Sequence, residues 1–129
     1  MTTSKGVWAL QIGRKLESGA TVISVAGRVA HASAGVFRDA LRDVVASGRD
    51  GIVVDLSAVD YVSSAGIRAL ADASGQATLA SLPLTVCGLQ EPVRLAMNMA
   101  GLLPALDIQP SRERALERLE AVRAARRRS

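Results

Sequence analysis

The sequence predicts an α/β fold: a small mixed, mostly parallel sheet opened by a β-hairpin, with helices packed against it. Three observations lead there. Two strand-like segments open the chain, separated by a polar stretch that begins and ends in glycine. Beyond them, apolar residues spaced three and four apart alternate with short β-branched runs. Hydrophobic residues make up 49% of the chain, yet Trp8, Phe37 and Tyr61 are its only aromatics, so the core must be built from alanine, valine and leucine.

Each element follows in order. Trp8-Ala9-Leu10-Gln11-Ile12 reads as a first strand, 13–19 as a polar turn and 21–25 as a second strand, together a hairpin. Gly27 breaks the alternation. From Ser33 on, Val36, Phe37, Ala40, Leu41, Val44 and Val45 mark a helix with one apolar face, Ser33 serving as N-cap and Gly48 as stop. Ile52-Val53-Val54 is a β-branched run suited to a strand buried on both faces, ending in Asp55.

A short loop follows, and a helix is expected over 64–78 with Ile67, Leu70, Ala71 and Ser74 inward. Residues 82–87 form the next strand, with Pro83 at its start. Glu91-Pro92 opens a shorter helix, since proline fits a first turn; Val93, Ala96, Met97 and Ala100 line one side and Gly101 ends it. Leu106-Asp107-Ile108 is a last strand. Ser111 then caps a final helix with Ala115, Leu116, Leu119 and Val122 inward. The order is β-β-α-β-α-β-α-β-α, in a single domain over 1–129 whose basic C-terminal helix spans 111–129.

Composition narrows the function. No apolar segment approaches the roughly 20 residues of a membrane span, and no signal peptide is visible at the N-terminus, so a cytoplasmic protein without membrane insertion is expected. Cys87 has no second cysteine to pair with and sits in an apolar run, as a buried structural thiol does. The net charge of +4 is confined to the tail: 1–111 balance nine basic against nine acidic residues, whereas 112–129 carry seven arginines against three glutamates. Those arginines lie at helical spacing among glutamates, which suits a solvated face that frays over Arg126-Arg127-Arg128. A nucleic-acid or acidic-lipid contact is the sharper alternative. Scarce aromatics and the absence of a second basic cluster argue against a nucleic-acid partner.

Signs of catalysis are poor. His31 is the only histidine, no metal-ligand spacing appears, and neither metal nor cofactor is expected. Val62-Ser63-Ser64-Ala65-Gly66 does not match the Gly-x-Ser-x-Gly elbow of hydrolases, and no phosphate-binding glycine loop occurs. A triad of Ser64, His31 and Asp55 is the enzymatic alternative; the simpler reading puts His31 in a surface loop. Asp55 and Asp60 flank the serine loop and could suit a metal-assisted phosphoryl site, but more simply Asp55 closes a strand and Asp60 organises a turn.

The informative feature is the pair Ser63-Ser64 where a helix begins. Hydroxyls there cap free backbone N–H groups, and the same place tolerates a phosphate. Asp55-Leu56-Ser57-x-Val59-x-Tyr61-Val62-Ser63-Ser64-Ala65-Gly66-Ile67-Arg68-x-Leu70 closely resembles the signature of the STAS family, the anti-sigma factor antagonists. Gly27-Arg28-Val29 is similar to that family's glycine turn, Cys87-Gly88-Leu89-x-x-Pro92-Val93 to its fourth-strand exit, and 95–102 to its short third helix. The likeness runs over about 8–119.

The resemblance implies a STAS-fold binding module without catalysis. It implies as partners a serine-kinase anti-sigma factor, which phosphorylates the antagonist, and a phosphatase that reverses the step. It places the phosphoacceptor at Ser64, with Ser63 the alternative, standing where many members have aspartate. It places the partner surface at Gly27, Arg28, Ala30, His31, Ser63, Ser64, Gly66 and Arg68, with Gly66 letting the chain turn tightly into the helix. Ala30 stands where the family often has an acidic residue. Two other functions stay open: an unphosphorylated STAS scaffold subunit of a signalling or lipid-transport complex, and a small nucleotide-binding or hydrolytic protein. Oligomeric state, monomer or weak homodimer, is also open.

Overall fold

A computed structural model describes residues 10–47 and 50–128. Its five-stranded sheet is built from β1 (Gln11–Glu17), β2 (Ala20–Val29), β3 (Ile52–Val62), β4 (Leu84–Cys87) and β5 (Asp107–Gln109) in sequence order. The β1–β2 pair is antiparallel and every other pair is parallel. The helices are α1 (Ala34–Ser47), α2 (Ser64–Leu79), α3 (Glu91–Met99) and α4 (Arg112–Arg128).

Neighbouring parallel strands joined by right-handed crossovers advance in one direction, so their helices fall on one face. The main core accordingly joins Phe37 and Leu41 of α1, Leu70 of α2, and Val93 and Met97 of α3 to Ile23, Val25, Ile52, Val54 and Val86 of the sheet. The other face is left to α4, whose Ala115 and Leu119 pack on Ala20, Val22, Val53 and Cys87. Alternate side chains of a strand point to opposite faces, so Val22 and Ile23, or Val53 and Val54, serve different cores.

Several boundaries differ from those read in the sequence. The first strand is Gln11–Glu17, so the expected turn over 13–19 shrinks to Ser18 and Gly19; Trp8, Ala9 and the helix stop Gly48 lie outside the described residues. Leu16 is exposed, and β1 holds its place through its ladder with β2 more than through burial. Ser33 does not cap α1: it ends a 3₁₀ turn (His31–Ser33), and its Oγ accepts from the Ala30 N–H at 3.0 Å and donates to the Arg28 carbonyl. The inward stripe of α2 is Ala69, Leu70, Ala73 and Ala77, with Ile67, Ala71 and Ser74 only half-buried, because α1 crosses close enough to want small side chains.

The largest difference is β3. It does not end at Asp55 but runs to Val62, so the expected loop is strand. Its partner residues show why the pattern was hidden. Ser24 faces Asp55 and Ala26 faces Ala58; Gly27 faces Val59 and Arg28 faces Tyr61. At each step β3 holds one residue more than β2, a β-bulge. Buried Leu56, Val59 and Val62 are therefore three apart rather than two.

Candidate functional site

The bulged extension carries the end of β3 to the start of α2. Ser63 stands between them in extended conformation (φ −76°, ψ 169°), and its Oγ accepts a hydrogen bond from the Gly66 N–H at 3.2 Å. Its own N–H donates to the Val29 carbonyl at 2.7 Å, and its carbonyl accepts from the Ile67 N–H. Ser63 is thus buried (9% exposed) with its side chain occupied as an N-cap. Ser64, the first residue of the helix, is exposed, and its hydroxyl makes no hydrogen bond among the described residues.

Gly66 has a reason other than backbone freedom. A Cβ there would lie 2.6 Å from Val29 Cγ1 and 2.9 Å from Val62 Cγ1, closer than carbon atoms approach. The first turn of α2 presses directly on the ends of β2 and β3, and only a hydrogen fits between them.

The remaining residues of the expected partner surface share this end of the sheet. Gly27 takes φ +112° at the second bulge, which suits glycine. Ala30 and the exposed His31 follow β2 in the segment held by the Ser33 hydroxyl. Arg28 stacks over Tyr61, 4.6 Å from the ring centroid, a cation–π contact between two exposed residues. Their neighbours Val29 and Val62 point into the main core, so alternation puts the Arg28–Tyr61 stack on the other face of the sheet. Arg68 is exposed on α2, one turn after Ser64. Gly27, Arg28, Ala30, His31, Ser63, Ser64, Gly66 and Arg68 therefore gather at one rim, with Arg28 across the sheet edge from the helix.

A family model described as "Mlab, STAS domain" matches residues 12–106, most of the chain and the whole of this rim. The chain belongs to the STAS family. BtrV of Bordetella bronchiseptica, named for an anti-sigma factor antagonist role, is 31% identical over 97 residues, covering 75% of this chain and 84% of BtrV. The structure of an anti-sigma factor antagonist from Mycobacterium paratuberculosis superposes with a TM-score of 0.76 at 24% identity, covering 87% of this chain and 95% of that one. The Bacillus cell fate determinant SpoIIAA, in its phosphorylated form, gives 0.64 at 15% identity, over 86% of this chain and 99% of SpoIIAA. At such identities the two structures speak for the fold alone.

A second polar constellation of this STAS domain was not anticipated from sequence. Asp55, mid-strand and on the α4 face, accepts from the Ser57 N–H at 2.9 Å and from Arg112 Nε at 3.0 Å. Arg112 also donates to Ser24 Oγ at 2.7 Å and lies 3.5 Å from Glu17. Burial alone would raise the Asp55 pKa, but the hydrogen bonds from Ser57 and the Arg112 guanidinium outweigh it and hold the carboxyl below its usual range. Arg112 therefore ties the first turn of α4 to three strands. Next to it Cys87 is fully buried, and burial followed by the Asp55 charge pushes its thiol up to about 12. It stays protonated and unreactive.

This arrangement separates the groups that an enzymatic reading needed together. Asp55 is engaged by Arg112 on the α4 face, while Ser64 opens the helix layer on the other, so no Ser64–His31–Asp55 relay is formed. Asp60 lies in β3 rather than in a turn. Among the described residues, no group of three or more His, Cys, Asp or Glu side chains could hold a metal ion, and no helix is long and apolar enough to cross a membrane.

Proposed function

We propose that this STAS domain is an anti-sigma factor antagonist that binds a serine-kinase anti-sigma factor in the cytoplasm and is switched off by phosphorylation of Ser64. One observation carries the reading: of two adjacent hydroxyls at the start of α2, Ser63 is buried and spent on the cap, while Ser64 is exposed and unengaged. Capping needs one serine; the other is free for chemistry. The relatives' names agree with the antagonist role, and phosphorylation is a state in which SpoIIAA has been seen.

The chemistry is supplied by the partners. The Ser64 hydroxyl attacks the γ-phosphorus of kinase-bound ATP, the new Oγ–P bond replaces the bond to the β,γ-bridging oxygen, ADP leaves, and the hydroxyl proton passes to a base on the kinase. A phosphatase returns the hydroxyl by adding water across the O–P bond and releasing phosphate. Modification adds about −1.5 to −2 charges and three strong acceptors. At a helix start the dipole and free N–H groups accommodate that charge, so the fold is kept. A docked surface is different, since the phosphate must lose water there; each 1.4 kcal/mol weakens binding about tenfold.

The test is titration of the chain against each purified serine-kinase anti-sigma factor encoded in the same genome. One of them should bind Ser64→Ala as tightly as the parent and Ser64→Asp at least about tenfold more weakly. Equal affinity for both variants would reject the reading. A chain that stays unmodified after incubation with its binding kinase and ATP would instead be a scaffold.

A further inference from the structure

We infer that Arg68 takes up the charge of a phosphate on Ser64, and that before modification the same guanidinium faces a carboxylate on the partner. This rests on the proposed function and supplies the local device by which modification acts.

Arg68 follows Ser64 by four residues on α2, and both are exposed. Side chains so spaced are neighbours on a helix surface, and an acid four residues ahead of a base is the favourable order. The guanidinium is uncommitted: among the described residues Arg68 makes no hydrogen bond, ion pair or ring contact. Its nearest rival anion on the helix is Asp72, one turn further on, and the two are not paired. Asp72 instead lines the cleft between α1 and α2, with Arg38 and Arg42. The first turn of α2 holds no acidic side chain.

A free planar fork of donors beside Ser64 matches a carboxylate bidentately, which sets the chemistry of the surface it meets. A phosphate one turn away matches it equally well and is held in the same helix, so it wins by proximity. Modification then takes away the cation the partner used in addition to adding charge.

The test needs no kinase. Phosphoserine is incorporated at position 64 of the full chain during translation, and phosphorus NMR follows the second ionisation of its phosphate. A neighbouring cation favours the dianion and lowers that pKa. The parent should titrate below Arg68→Gln by about 0.1–0.4 pH. Arg68→Lys should fall between, since it restores charge without the fork. Arg28→Gln should match the parent, because Arg28 lies across the sheet. Equal titration of parent and Arg68→Gln overturns the inference. The proposed function fails on a separate readout, the equal binding of Ser64→Asp and Ser64→Ala, which leaves this titration untouched.

Discussion

The two ends of the sheet use arginine in opposite ways. At the end where the parallel strands begin, α4 is strapped down. Arg123 donates to the Ser18 carbonyl at 2.9 Å and reaches that of Asp50; Arg126 donates to the Ser81 carbonyl; Arg118 pairs with Asp107 at 3.1 Å. Further along the same face, at mid-strand, Arg112 closes the series on Asp55 and Ser24. At the end where β3 hands over to α2, Arg68 has no partner among the described residues and Arg28 has only the Tyr61 ring. Side chains engaged with their own fold contribute to stability. Unengaged ones at a rim are available to something else. The difference sets the proposed partner face apart better than net charge does, since four arginines of the basic tail, Arg112, Arg118, Arg123 and Arg126, are clasped to the body.

That contrast can be broken by mutation. The largest loss is expected for Arg112→Ala, which leaves the buried Asp55 carboxylate without its cation. Because Arg112 is itself about a third exposed, solvent moderates the cost to about 2–4 kcal/mol in denaturant unfolding. The same pair gives a pH signature. Asp55 has a lowered folded pKa, so its contribution is present above the ordinary carboxylate value near 4 and is lost as pH falls through the folded value. Stability of the parent should drop below about pH 4, and Arg112→Ala should flatten that slope.

Next in size is Gly66→Ala, at the other end. The methyl has no room beside Val29 and Val62, and a loss of about 1–3 kcal/mol is expected by thermal or chemical unfolding. Ser63→Ala should cost about 1 kcal/mol through the lost cap. Ser64→Ala and Arg68→Gln should change stability by less than about 0.5 kcal/mol, as exposed residues without partners do. A stability loss at Arg68 as large as that at Arg112 would erase the distinction between the two ends.

Much of this fold is legible in the sequence. The element order, the strand buried on both faces at Ile52, Val53 and Val54, and the cap at Ser111, whose Oγ accepts from the Arg114 N–H at 3.2 Å, all follow from periodicity and capping chemistry. Three larger features did not. The extension of β3 was hidden because two bulges change the spacing of Leu56, Val59 and Val62. The straps of α4 were hidden because the acceptors of Arg123 and Arg126 are backbone carbonyls, which every residue owns and no pattern marks. Arg112 and Asp55 are 57 positions apart, with no local signal linking them. At the rim, the motif drew attention to Ser63 and Ser64, but the order of roles depends on which hydroxyl faces the Gly66 N–H, a matter of geometry. The Arg28–Tyr61 stack had one available clue, an isolated tyrosine in an otherwise small and polar segment.

The most direct measurement is the position of the phosphate. The chain is incubated with the serine-kinase anti-sigma factor proposed as its partner and with ATP, and the modified residue is mapped by fragmentation mass spectrometry in the parent, Ser63→Ala and Ser64→Ala. Phosphate is expected on Ser64 in the first two and on neither serine in the third. Phosphate on Ser63, or undiminished modification of Ser64→Ala, would contradict it.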